Sequence, residues 1–248
     1  ASWQAHFGEE RPLVGRGGSG TIFFSRCNLL CEFCQNAEIA HAGEGRDVSA
    51  AELADMMLAL QRRGCHNVNL VTPTHVVPSI VAALAIALRQ GLRVPLVYNC
   101  GGYEPVEVLR LLDGIVDIYL ADAKYMDAGA AARYSRGAKD YPEVCRSALI
   151  EMHRQVGNLV LDGDQIAVRG LIIRHLVLPG ELAGTERFAR WAAETLGPGT
   201  AVNVMAQYRP AHRAHRYPEL NRRITGEEYR RAVLAVRQAG LTNLTGDC

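Results

Sequence analysis

The run Cys27-Asn28-Leu29-Leu30-Cys31-Glu32-Phe33-Cys34 holds three cysteines with three and then two residues between them. That spacing places three thiolates on one tight loop and leaves a fourth coordination position to something other than protein. An open position suggests chemistry. Structural zinc usually takes four protein ligands from two separated pairs, and the chain shows no second Cys-x2-Cys or His-x3-His to complete one. The clustered thiolates therefore favour iron and sulfide, with zinc and free thiols as the rivals. Phe33, immediately before Cys34, puts a ring where it can pack beside a cluster or a bound base.

The loop must be held by something rigid, and the apolar periodicity supplies it. Residues 1–16 are polar and irregular, so 1–20 read as a lead-in. Gly17, Gly18 and Gly20 either link flexibly or let the backbone turn into the strand 21–25; no Gly-Lys-Ser/Thr follows, so this is not a phosphate loop. Ser49 and Glu52 form a capping box for a helix ended by Gly64, and 68–71 is a strand. Pro78 opens a helix with Ile80, Leu84 and Leu88 on one face, followed by the strand 94–98, a helix from Pro105 and the apolar strand 115–121. A helix from Pro142 to Gln155 leads to a hairpin arm at 159–164 and the strand 171–178. Thr185 is placed to cap a helix to Leu196, 201–205 is a strand, and Thr225 with Glu228 boxes the start of a last helix. About six strand-helix units in succession predict an α/β fold, a parallel sheet covered by helices and curled into a barrel or part of one. In such folds the site lies at the C-terminal ends of the strands.

The chain of 248 residues, 48% apolar with net charge +1, reads as one soluble domain over 1–248. So small a charge gives no whole-surface argument for nucleic acid or an anionic membrane. The longest apolar run, 80–88, is too short to span a bilayer. Seven cysteines, an odd number with three crowded together, argue against a secreted disulfide framework and for a reducing, cytoplasmic setting. Ala1-Ser2-Trp3 has neither a basic n-region nor an apolar h-region, so the first residues do not read as a signal peptide, and the start at Ala1 leaves room for residues upstream.

Cys-x3-Cys-x2-Cys with an aromatic before the last cysteine resembles the radical S-adenosylmethionine (SAM) superfamily. The runs 18–36, 67–78, 95–104, 117–125, 170–180 and 202–210 look more closely like the group related to pyruvate formate-lyase activating enzyme. The resemblance implies a partial (βα)6-type barrel and one [4Fe-4S] cluster held by Cys27, Cys31 and Cys34, with SAM chelating the fourth iron. It implies reductive cleavage of SAM to a 5'-deoxyadenosyl radical that takes hydrogen from a substrate, with a flavodoxin or ferredoxin as electron donor. In the activating enzymes a Gly-Gly-Glu run meets the SAM amino group; here Thr72-Pro73-Thr74-His75 stands there, so Thr72, Thr74 and His75 become the contacts and a carboxylate partner is lost. By the same resemblance Asn99, Asp122, Lys124, Arg174 and Gln207, all at strand ends, contact SAM or lie beside it, and Phe33 packs at the cluster. For Asp122 and Lys124 the plainer reading is a surface ion pair, and for His175 a hydrogen-bonded core histidine.

Three uses of this chemistry stay open. The substrate is a glycine in a partner glycyl radical enzyme, or it is a small molecule such as a sugar or natural product undergoing epimerisation or redox change. The third is a cluster or zinc binder without turnover. Cys100, following Asn99, would serve an epimerase as hydrogen donor, against the plainer reading of a small buried residue. Cys65 and Cys145 read as core or surface residues. The stretch 208–223, with Arg209, His212, Arg213, His215 and Arg216, reads either as a solvated loop or as a lid gripping an acidic, phosphorylated or peptide substrate.

Overall fold

The computed structural model describes residues 2–246, so Cys248 lies outside the described residues. The chain opens on a strand, β1 (Ser2–His6), and a single helical turn, α1 (Arg11–Val14), leads to β2 (Ser19–Phe23). β1 pairs antiparallel with β2, Ser2 against Phe23 and His6 against Ser19. The lead-in is therefore structured, against the sequence expectation. Its polar composition hid this, because β1 is an edge strand tied by backbone hydrogen bonds, and only Leu13 of the turn is withdrawn completely from water.

After α2 (Ala37–Ala40) come α3 (Ala50–Arg62), β3 (Val68–Val71), α4 (Val77–Arg89), β4 (Leu96–Cys100), α5 (Val106–Leu111) and β5 (Ile118–Asp122). Then follow α6 (Ala128–Tyr134), α7 (Tyr141–Val156), β6 (Val160–Leu161), β7 (Ala167–Leu176), α8 (Thr185–Thr195), β8 (Ala201–Met205), α9 (Gly226–Gln238) and β9 (Asn243–Leu244). The sheet runs β1-β2-β3-β4-β5-β7-β8-β9, parallel from β2 onward, with β6 antiparallel on β7. Its ends do not join, so the expected α/β barrel is a partial one.

Strand alternation gives each strand an inner and an outer face. Inside, Leu13 packs with Val97, Ile118, Leu120, Ile172 and Ala201 and fills the lower barrel. Outside, Leu70, Tyr98, Cys100, Tyr119 and Ile173 pack against the helices in the main core. The expected strands 94–98 and 115–121 are displaced toward their C-terminal ends, because Pro95 donates no hydrogen bond and Asp117 caps the ladder, accepting from Leu96 N through its side chain at 2.8 Å.

Both capping boxes form. Ser49 Oγ accepts from Glu52 N at 3.2 Å while Ser49 N donates to the Glu52 carboxylate at 2.8 Å; Thr225 and Glu228 do the same at 3.1 and 2.7 Å. Ser49→Ala is expected to remove about 1 kcal/mol of stability, read as a lower urea midpoint at constant slope. Thr185 does not cap α8. Gly184, at φ 70°, holds the N-cap position, and Thr185 Oγ1 instead meets His175 Nε2 at 2.9 Å.

Candidate functional site

The cysteine loop leaves the end of β2 through Arg26 (φ 73°) and turns again at Leu30 (φ 47°). It lies across the C-terminal ends of the next strands. Leu29 is 1% exposed and so close over Gly101 that a Cβ there would meet its Cδ1 at 2.7 Å, while Asn28 Nδ2 donates to Tyr103 O at 2.7 Å. Cys31 bridges to Ser135, whose hydroxyl donates to Cys31 Sγ at 3.1 Å and also meets Tyr125 OH at 2.9 Å. Cys31 is buried and Cys27 and Cys34 are half-buried. Burial pushes the Cys31 thiol up to about 11 and raises that of Cys34, with Lys124 acting in the opposite direction on both. Such thiols stay protonated until a metal takes them. Among the described residues no three His, Cys, Asp or Glu side chains stand close enough to share a single metal ion. In a cubane each thiolate takes a different iron and wider spacing suffices, so the donor set of this loop fits a cluster better than one zinc.

Lys124 Nζ lies 2.5 Å from Asp122 Oδ2, just past the end of β5, with both side chains largely withdrawn from water. Burial opposes the ammonium, yet Asp122 holds its pKa above the ordinary lysine value, and the Cys31 and Cys27 sulfurs lie near enough to add to this once ionised. The structure thus brings this pair to the cysteine loop. Tyr141 fixes the strand ends beneath, donating to Gly101 O at 2.8 Å or Asp122 O at 3.0 Å and accepting from Lys124 N at 2.9 Å.

Arg174 shares the inner row with Asp122 and Asn203. Its guanidinium is engaged by the lead-in: Nε and Nη2 donate to the Glu10 carboxylate at 2.8 and 2.7 Å, and Nη2 also bonds Glu9. Asn203 donates to Glu10 at 2.8 Å and Asn69 to Glu9 at 3.1 Å. Burial would raise the Glu10 pKa, but the Arg174 contacts outweigh it and hold it below the usual carboxylate range. Arg174, expected at the SAM site, is thus held in this structure by a buried ion pair across the barrel. His175, on the opposite face, is a core histidine: Nδ1 lies 2.8 Å from Ala123 O, the ring stacks on Phe188, and burial lowers its pKa to about 4.

The remaining predicted residues divide by the direction they face. Asn99 is inner and 8% exposed, and its carbonyl accepts from Thr72 N at 2.8 Å. Thr74 Oγ1 donates to Glu104 at 2.8 Å, and His75 Nε2 lies 2.7 Å from Ser25 O, just before the cysteine loop. Phe33 is buried edge-on against Tyr125 and Tyr208 beneath the loop. Gln207 is exposed beside it, its carbonyl accepting from Gln35 at 3.4 Å. Cys100 has the parity of Tyr98, lies 3% exposed in the helix-side core, and burial raises its thiol well above the ordinary value. It faces away from the barrel interior, which corrects its assignment as a hydrogen donor.

The stretch 208–223 packs onto the cysteine loop. Arg213 N donates to Glu32 O at 2.8 Å, Tyr208 and Leu220 are buried, and Tyr134 OH holds Glu219 at 2.5 Å. Ser135, Glu9, Glu10, Asn69, Asn203 and Glu104 belong to this constellation and were not singled out from sequence. The Glu9-Glu10 doublet was the only visible signal among them.

A parallel partial barrel with three thiols across its strand ends defines a class of cluster enzymes, and the comparisons name it. The family model described as the Radical SAM superfamily matches residues 21–149, more than half the chain, and the chain belongs to that superfamily. It therefore works with a [4Fe-4S] cluster and SAM. The uncharacterized protein MJ0674 of Methanocaldococcus jannaschii is 34% identical over 238 residues, covering 92% of this chain and 64% of its own length. The maturase HydG of the [FeFe]-hydrogenase superimposes with a TM-score of 0.60 at 15% identity, over 90% of this chain and 50% of its own. SuiB of Streptococcus suis, solved bound to S-adenosylmethionine, gives 0.56 at 11% identity, over 91% and 49%. These structural likenesses show the fold, and the chain spans less than two thirds of each relative.

Proposed function

We propose that the chain is a radical SAM enzyme that cleaves SAM reductively and abstracts a hydrogen atom from its substrate in the manner of the glycyl-radical-enzyme activases. The observation that carries the reading is the convergence of the cysteine loop and the Asp122–Lys124 pair at the ends of β2 and β5. Bound together, cluster and SAM supply one electron and a carbon radical able to attack an unreactive C–H bond. The chain's own part is to hold and orient. Cys27, Cys31 and Cys34 take three irons; Ser135 hydrogen-bonds the Cys31 sulfur and favours the reduced cluster. Asp122 and Lys124 match the two charges of the methionine end of SAM, and Asn99 and Thr72 border the mouth. Phe33, Tyr125 and Tyr208 seal the loop from below against water. A low-potential flavodoxin or ferredoxin supplies the electron, and exposed Arg136 and Arg209 beside the loop offer such an acidic carrier a face.

With Cys100 turned into the helix layer, an epimerase would need another hydrogen donor, so the glycyl substrate is preferred. Anaerobic reconstitution with iron and sulfide, then dithionite and SAM, is expected to yield 5'-deoxyadenosine. Incubation with a glycyl radical enzyme is expected to give the EPR doublet of a glycyl radical. An intact cluster that yields no 5'-deoxyadenosine would make the chain a binder without turnover; solvent deuterium incorporated into a small product would replace the glycyl substrate.

A further inference from the structure

Four glutamates are buried among the described residues, and three of them face an arginine: Glu10 with Arg174, Glu151 with Arg154, Glu228 with Arg222. Glu104, with no exposed surface, faces only neutral donors. Thr74 Oγ1 donates to it at 2.8 Å and Tyr98 OH at 2.9 Å, and the nearby Cys100 thiol also favours its charged form. Burial raises its pKa to about 7 against the pull of those donors. A carboxyl placed so is expensive unless its hydrogen bonds do something an apolar side chain could not.

What they join is informative. Tyr98 and Cys100 belong to the outer face of β4, and Thr74 belongs to the turn after β3. Two residues before Thr74, Thr72 stands at φ 59°, a left-handed conformation that a β-branched residue rarely adopts. Such a residue stays there only when its neighbours leave it no alternative. Here the turn is tethered twice: Thr72 N to Asn99 O at 2.8 Å on the inner side, and Thr74 Oγ1 to Glu104 beneath. Pro73 between them is buried and stiffens the link.

We propose that Glu104 is a positioning residue for SAM, holding the Thr72–Thr74 turn in its strained shape so that the turn forms one wall of the cofactor's mouth. The proposal rests on reading the strand ends as the SAM site. Glu104 itself touches no cofactor; it acts through Thr74, and its loss is felt as weaker binding rather than slower chemistry.

The test uses the reconstituted holoprotein, with SAM affinity measured by equilibrium dialysis and amide hydrogen exchange over residues 72–76 measured without SAM. Glu104→Ala and Thr74→Val are each expected to weaken SAM binding about tenfold, the equivalent of one good hydrogen bond, and to speed exchange in the turn. The double variant is expected to be no weaker than Glu104→Ala alone, because both changes cut one link. Glu104→Gln keeps an acceptor and is expected to stay within about threefold of the native affinity. A Glu104→Ala protein of lower stability with native SAM affinity and native turn exchange would reduce Glu104 to core filling and overturn the proposal, as would additive losses in the double variant. If Glu104→Ala does not fold, Thr74→Val alone and combined with Glu104→Gln carries the same comparison. A native protein that binds no SAM overturns the reading beneath the proposal and the proposal with it; native binding with unchanged variants overturns the proposal alone.

Discussion

Cys31→Ala is expected to give a folded protein with no detectable 5'-deoxyadenosine production. The residue is 8% exposed, and its sulfur accepts from the Ser135 hydroxyl, which keeps Tyr125 OH as a second partner. The loss to the fold is therefore about that of one hydrogen bond, roughly 1 kcal/mol. The loss to the site is of another order, because a cubane held by two thiolates has no fixed place against SAM. Iron and sulfide analysis beside chromatography of the nucleoside checks both halves. Cys65→Ala, a buried cysteine before β3, serves as the control that keeps cluster and product. Nucleoside production retained in Cys31→Ala would overturn the ligand assignment.

The second large effect is on stability. Glu10→Ala is expected to destabilise the fold by about 1.5–3 kcal/mol, because the buried guanidinium loses its two bonds to Glu10 and keeps Glu9 alone. The Arg174 side chain is 14% exposed and that of Glu10 1%, and Asn203 loses its acceptor as well. Urea unfolding reads the change as a lower midpoint, and the double-mutant cycle of Glu10→Ala with Arg174→Met measures how much of the loss runs through the pair. Acid should act in the same direction. The folded pKa of Glu10 is depressed below that of the unfolded chain, so its stabilisation is complete above the ordinary carboxylate range and is lost as pH falls through the folded value. A midpoint within error of the native one would mean that the pair contributes nothing beyond its own desolvation.

Much of this was legible in the sequence, for reasons that differ by element. β3 and both capping boxes carry short-range signals, three apolar residues within four and a Ser or Thr three residues before Glu, and these stand at their expected positions. The order of strands and helices gave the α/β sheet, and the cysteine spacing gave the cluster. β1 was missed because an edge strand needs no apolar face, only a neighbour's backbone. The Glu10–Arg174 pair joins residues 164 positions apart, a distance over which no local pattern speaks. Cys100 is a different kind of miss. Strand alternation alone says that Asn99 and Cys100 face opposite sides, so assigning both to the mouth ignored a rule already in hand. The Thr74–Glu104 and His75–Ser25 bonds join residues 30 and 50 positions apart, again beyond any local pattern.

The inner pairing has a consequence for synthesis. Glu9 and Glu10 leave the ribosome early, while Arg174 and Asn203, which neutralise and hydrogen-bond them, come more than 160 residues later. Until β7 and β8 arrive, Leu13 has no complete barrel to fill, and two carboxylates must stay hydrated where the finished protein is nearly dry. The barrel floor is thus the last part to close although its first residues are the earliest made. Nascent chains halted before β7 should expose an aggregation-prone open sheet, so folding of this protein depends on how quickly translation passes that strand.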